Sequence, residues 1–164
     1  MTGSPEIHRL VAMGDFVASH DPEAVVTTCA IGSCLAIAVH DAHAGVGGIL
    51  HFILPNSRLN ETMAQIQPHM FCDTGWKAFW KELQGLGVQP ASAVVKLVGG
   101  SVVLDDLSYH EIGRDNIQTA RRLLEETGLT VLSEDTGGRG IRTVRLEIAS
   151  GLLTVRHQND THCI

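Results

Sequence analysis

Three apolar runs follow one another closely in the first third of the chain: Val25 to Cys29, Cys34 to Val39, and Val46 to Leu54. Their length and β-branched content read as strands, and the short spacers between them predict neighbouring antiparallel partners. A shorter stretch, Leu10 to Met13, stands ahead of the polar Ser19-His20-Asp21-Pro22 turn and predicts an early edge strand. Pro55-Asn56-Ser57 ends the third run, and the polar residues that continue to Pro68 read as a loop or flap over one end of the sheet.

The period then changes from two to that of a helix. Phe71, Trp76, Phe79, Trp80, Leu83 and Leu86 recur at helical spacing, with Gly87 placed as a terminator, so an amphipathic helix packs its aromatic face on the sheet. Ala93 to Val98 predicts a buried strand closed by Gly99-Gly100. Ile117, Ala120, Leu123 and Leu124 mark a second helix that ends at Gly128, and Leu129 to Leu132 a further strand. Arg142 to Ile148 and Leu152 to His157 form a terminal pair around Ala149-Ser150-Gly151, with alternation clearest at Val144, Leu146 and Ile148. Eight or so strands, mostly in runs, with two helices argue for an α+β fold and against a βαβ repeat. Residues 1–157 are expected as one domain and residues 158–164 as a flexible tail.

Composition narrows the function classes. With 164 residues, 44% of them hydrophobic, one domain can bury a full core without metal or disulfide staples. The net charge is -6 and the 12 basic residues are scattered, which argues against nucleic acid as a partner. No apolar run approaches the roughly 18 residues of a membrane span, and the first twenty residues lack the order of a signal peptide, so the expected location is the cytoplasm. Cys29, Cys34, Cys72 and Cys163 show no paired spacing and read as free thiols of a reducing compartment. Cys29, Cys34, His40 and His43 have zinc-ligand chemistry, but side chains that alternate along a strand do not converge; no metal or cofactor is expected.

The candidate chemistry lies at Cys34. It follows Gly32-Ser33, a pair suited to a tight turn at a sheet edge, and His51 sits seventeen positions on in the next apolar run. An unperturbed thiol of pKa ~8.5 is a weak nucleophile at neutral pH, and a histidine in reach converts it to a thiolate–imidazolium pair that alkylating reagents find first. The same histidine can protonate a leaving amine, which suits amide chemistry. Backbone N–H groups of Gly32 and Ser33 could hold an oxyanion. A cysteine and a histidine in apolar strands equally read as packing residues, and the pair alone leaves both readings open.

The blocks Thr28-x-x-x-Gly32-Ser33-Cys34 and Gly48-Ile49-Leu50-His51-Phe52-Ile53-Leu54-Pro55 resemble the CheD family of bacterial chemoreceptor glutamine deamidases. The likeness continues in Val98-Gly99-Gly100, in Ile112-Gly113-Arg114-Asp115-Asn116, and in Glu134-Asp135-Thr136-Gly137-Gly138 followed by Arg142. Two departures stand out: Thr28-Cys29-Ala30 where members often read Thr-Leu-Gly, and Glu111 where Asn is usual. Together with the strand runs, the resemblance sets the expected fold as a three-layer α/β/β arrangement with mixed, largely antiparallel sheets and two main helices.

The resemblance implies Cys34 as nucleophile, His51 as general base and acid, and Thr28 as the group that fixes the His51 ring. Gly99 and Gly100, with Gly32 and Ser33, would line the substrate or oxyanion site. It also implies two partners, the cytoplasmic helices of methyl-accepting chemotaxis receptors and a CheC-type phosphatase. A non-catalytic module that only regulates such a phosphatase is the alternative from a different class.

Overall fold

The computed structural model describes residues 5–103 and 107–164, and its architecture is three layers, helices on one sheet and that sheet on another. The outer sheet has the order β1 (Ile7–Leu10), β3 (Ala24–Ile31), β8 (Arg142–Glu147), β9 (Leu153–His157), β10 (Asp160–Cys163). The middle sheet has the order β2 (Asp15–Ser19), β5 (Val46–Phe52), β4 (Leu35–Asp41), β6 (Val94–Gly99), β7 (Val131–Thr136). Among the strands of the described residues, β1 with β3 and β6 with β7 pair in parallel and the rest antiparallel, so both sheets are mixed and largely antiparallel. The two main helices are α2 (Cys72–Gly85) and α3 (Leu107–Glu126), and α1 (Glu61–Ile66) is a short one.

Period-two alternation on the middle sheet builds two cores from the same strands. Leu35, Ile37 and Val39 of β4, with Leu50 and Phe52 of β5, face α2 and α3 and meet Trp76, Phe79, Leu83, Ile117 and Leu124. Ala36, Ala38 and Ile49 face the outer sheet and meet Val26, Val144, Leu146 and Val155. Small residues on that second face let the sheets come close. At Gly48 a Cβ would run into the Val17 carbonyl and crowd the Phe79 ring, so the middle of β5 is hemmed in by β2 and α2.

Several expectations change in the structure. The run at Leu10 to Met13 is only the end of β1 and its exit, because Arg9 and Leu10 pair with Val26 and Thr27, and β2 begins at Asp15. β3 and β4 are not neighbours: the Gly32-Ser33-Cys34 turn carries the chain from the outer sheet to the middle one. Residues 55–70 hold α1 between two single turns of 3-10 helix, each begun by a local side-chain or proline signal too short to show a period. Residues 158–164, expected as a flexible tail, instead form β10 on β9, with Ile164 packed on the inter-sheet core. The hairpin turns at Gln158 with φ +56, and His162 Nε2 meets Asp135 Oδ2 at 2.9 Å, which secures the strand despite its polar sequence.

Candidate active site

Thr28 and His51 meet between the two sheets, and Cys34 lies on the same face of the middle sheet as His51. The last rung of the β4–β5 ladder pairs Leu35 with Phe52, and the rung before it pairs Ala36 with His51. By alternation Cys34, two before Ala36, lies on the same face as His51 and diagonally across from it. That face looks toward the outer sheet. Thr28 enters from β3, on the inward side with Val26, and is fully buried like His51.

One hydroxyl hydrogen decides the state of the imidazole. Thr28 Oγ1 donates to Val11 O at 2.9 Å and lies 2.8 Å from His51 Nδ1. A hydroxyl has a single proton to give, so toward the ring it can only accept. Nδ1 therefore carries the hydrogen, and Nε2 presents its lone pair. Nε2 is buried and has no hydrogen-bond partner, which leaves it free to take a proton.

Burial also sets the charges. Desolvation pushes the His51 pKa down to about 4, so the ring is neutral near pH 7. Desolvation likewise raises the Cys34 thiol above its usual value, opposed in part by its own backbone N–H. Both shifts favour a neutral thiol and a neutral imidazole over the thiolate–imidazolium pair expected from sequence, since two charges would sit in a desolvated gap. Cys34 is 7% exposed, whereas Cys29 and Cys163 are exposed, so Cys34 is not the thiol that a reagent meets first.

The turn that carries Cys34 is held from behind by glycines. Gly100 N–H donates to Cys34 O at 2.7 Å, and Ser101 N–H donates to Gly32 O at 2.9 Å. Gly99 has φ +120, and a Cβ there would run into the Cys34 carbonyl and Ile31. Gly99 and Gly100 therefore back the nucleophile's turn, close to the site, and the Gly100 N–H is committed to Cys34 O. Gly32 and Ser33 sit in the turn itself, Gly32 against Val103. Behind them the loop after β7 is fixed by Arg142, whose Nη2 meets Asp135 Oδ1 at 3.0 Å and Gly137 O at 2.9 Å.

Asn116 had no role in the sequence reading beyond its place in a motif block. It is fully buried on α3, and its Nδ2 donates to both Ser33 O and Ile53 O at 2.9 Å. The signal was available: an amide beside Ile117, one turn before Ala120, on the helix face that otherwise packs apolar residues. Concavities of about 370 Å³ flank α3 on either side, one against Pro55 to Leu59 and the other against Gly100 and Gly137-Gly138. Among the described residues lining them Cys34 does not occur, so they border the site and do not contain it.

A thiol beside a neutral imidazole whose far nitrogen is anchored, on a turn between two sheets, can carry out acyl transfer through sulfur; the class this fold and site define is that of the cysteine hydrolases. The family described as CheD chemotactic sensory transduction matches residues 53–157, and the chain belongs to that family. The match starts two residues after His51, so Thr28, Cys34 and His51 stand on their geometry. Relatives extend the likeness over most of the chain. A protein of Syntrophus aciditrophicus named "Probable chemoreceptor glutamine deamidase CheD 1" is 40% identical across 90% of this chain and 92% of its own. Similar proteins, named probable chemoreceptor glutamine deamidases, occur in Anaeromyxobacter dehalogenans, at 39% identity over 89% of this chain and 92% of its own, and in Pyrococcus abyssi, at 34% over 89% of each.

Proposed function

We propose that this chain hydrolyses glutamine side-chain amides of chemotaxis receptors to glutamate, with Cys34 as nucleophile, His51 as general base and acid, and Thr28 as the residue that holds the ring. One observation carries the reading: the Thr28–His51 hydrogen bond that leaves a bare, buried Nε2 on the face Cys34 shares. As Sγ attacks the carboxamide carbon, its proton passes to Nε2, so no free thiolate is required beforehand. The carbonyl becomes an oxyanion, for which the N–H groups of Ser33 and Cys34 are the nearest backbone donors in sequence. The C–N bond then breaks as Nε2–H protonates the departing ammonia, which leaves a thioester on Cys34. Water gives a proton to Nε2, adds to the thioester and releases glutamate, and the proton returns to Sγ.

Such hydrogen bonds tighten only when substrate closes the site, which fits a resting structure with no bond from Sγ to Nε2. A receptor helix would present its glutamine over the mouth between the sheets, near the segment 55–70 and the turn at Gly137-Gly138. The family likeness further suggests a CheC-type phosphatase as a partner on this same face. Incubation of the purified protein with receptor cytoplasmic fragments should produce the mass gain of a Gln-to-Glu conversion and release ammonia. No conversion, beside tight binding of the phosphatase, would replace the enzyme by a regulatory module.

A further inference from the structure

The β4–β5 ladder opens at the point where the chemistry sits. Beyond the Leu35–Phe52 rung the pairing stops: Cys34 O accepts from Gly100 N–H on the β6 side, and Ile53 N–H donates to Met70 O at 2.8 Å. The two strand ends have each found other partners. Asn116 reaches into this gap from α3, and its Nδ2 donates to both Ser33 O and Ile53 O. Ser33 adjoins Cys34, and Ile53 lies two residues from His51.

Carbonyls only accept, so the amide orientation is fixed: Nδ2 must face them. The remaining atom, Oδ1, is buried with no hydrogen-bond partner. An unsatisfied buried acceptor costs free energy; an apolar residue of similar size would remove that cost but leave Ser33 O and Ile53 O without this donor. The side chain keeps the penalty together with a two-strand contact at the site of chemistry, which a purely packing residue would not need.

We propose that Asn116 is a positioning residue, tying the turn of Cys34 to the end of the His51 strand and so setting Sγ against Nε2. It touches neither reacting atom. The role rests on the deamidase reading for its rate effect, but the distance it controls belongs to the free protein. A lost tie lets the Ser33-Cys34 turn move while Thr28 still holds the ring, so the nucleophile and base lose register without loss of either group.

The test uses the full chain carrying Cys29→Ser and Cys163→Ser, so that alkylation reports Cys34. Asn116→Leu keeps volume and deletes both bonds; Asn116→Asp keeps shape and sets acceptors against the two carbonyls. Each is assayed at a temperature where circular dichroism shows it folded. We expect kcat on a receptor fragment to fall at least about tenfold with KM nearly unchanged. Iodoacetamide labelling of Cys34 below neutral pH should fall to the rate of His51→Ala, since assistance by the imidazole is lost.

Wild-type kcat and a wild-type labelling profile in both Asn116 variants would overturn the proposal. So would activity that declines only with the folded fraction, or a wild-type labelling profile that His51→Ala leaves unchanged. If the wild type converts no glutamine while the Asn116 variants still flatten the Cys34 profile, the deamidase reading fails and the positioning role stands.

Discussion

Thr28 passes its only hydroxyl hydrogen to Val11 O, and that choice fixes the His51 tautomer. A carboxylate in its place would hold a positive ring; a hydroxyl holds a neutral one, which matches a histidine that burial keeps uncharged. Thr28→Val keeps the shape and removes the anchor, so deamidation should fall by roughly 10²-fold while Cys34 remains able to react. Steady-state rates on a receptor fragment check this, and a rate unchanged by Thr28→Val would remove Thr28 from the site. The thiols give a second prediction at this scale. Exposed Cys29 and Cys163 should be alkylated before Cys34 and the deeply buried Cys72, as read by mass mapping of a time course at neutral pH. Cys34 labelled ahead of both would mean its thiol is not held up by burial.

At the scale of elements, the site depends on how β3 ends. Its register with β8 shifts between Thr28 and Ile31, and Ala30 sits there with φ +59, a left-handed conformation that favours glycine. This is the position where the family pattern often has Gly. Ala30→Gly should therefore stabilise the chain by about 1 kcal/mol, a rise in Tm of roughly 2–4 °C by calorimetry. A lower Tm would show that the bulge costs Ala nothing. The strands that carry Thr28 and His51, and the one that follows Cys34, were legible from their continuous apolar, β-branched runs. That β3 and β4 lie in different sheets was not legible, because two residues of turn can serve a hairpin or a crossing between layers. β10 was missed for a related reason: Asp160-Thr161-His162-Cys163 carries no apolar pattern, and its hold comes from Asp135 and from Lys96 Nζ on Ile164 O at 2.5 Å.

Across the whole molecule, the two cores put the reacting groups in a desolvated seam, and this links fold stability to pH through His51. Its folded pKa of about 4 lies below the unfolded value of about 6.5, so the unfolded chain binds the extra proton between them. The stability from a neutral His51 is thus fully present above about pH 6.5 and is lost as pH falls toward 4, by up to about 3 kcal/mol. Denaturant midpoints at pH 7 and at pH 4.5 should show this drop in the wild type and a smaller one in His51→Ala; equal drops would mean that another group titrates.

Sulfur at Cys34, served by His51, is proposed to cleave a glutamine amide. A receptor cytoplasmic fragment incubated in parallel with wild type, Cys34→Ala and His51→Ala, and read by peptide mass for Gln-to-Glu conversion, tests it most directly. Conversion is expected with wild type alone, with both variants folded and inactive. Full conversion by Cys34→Ala would contradict it.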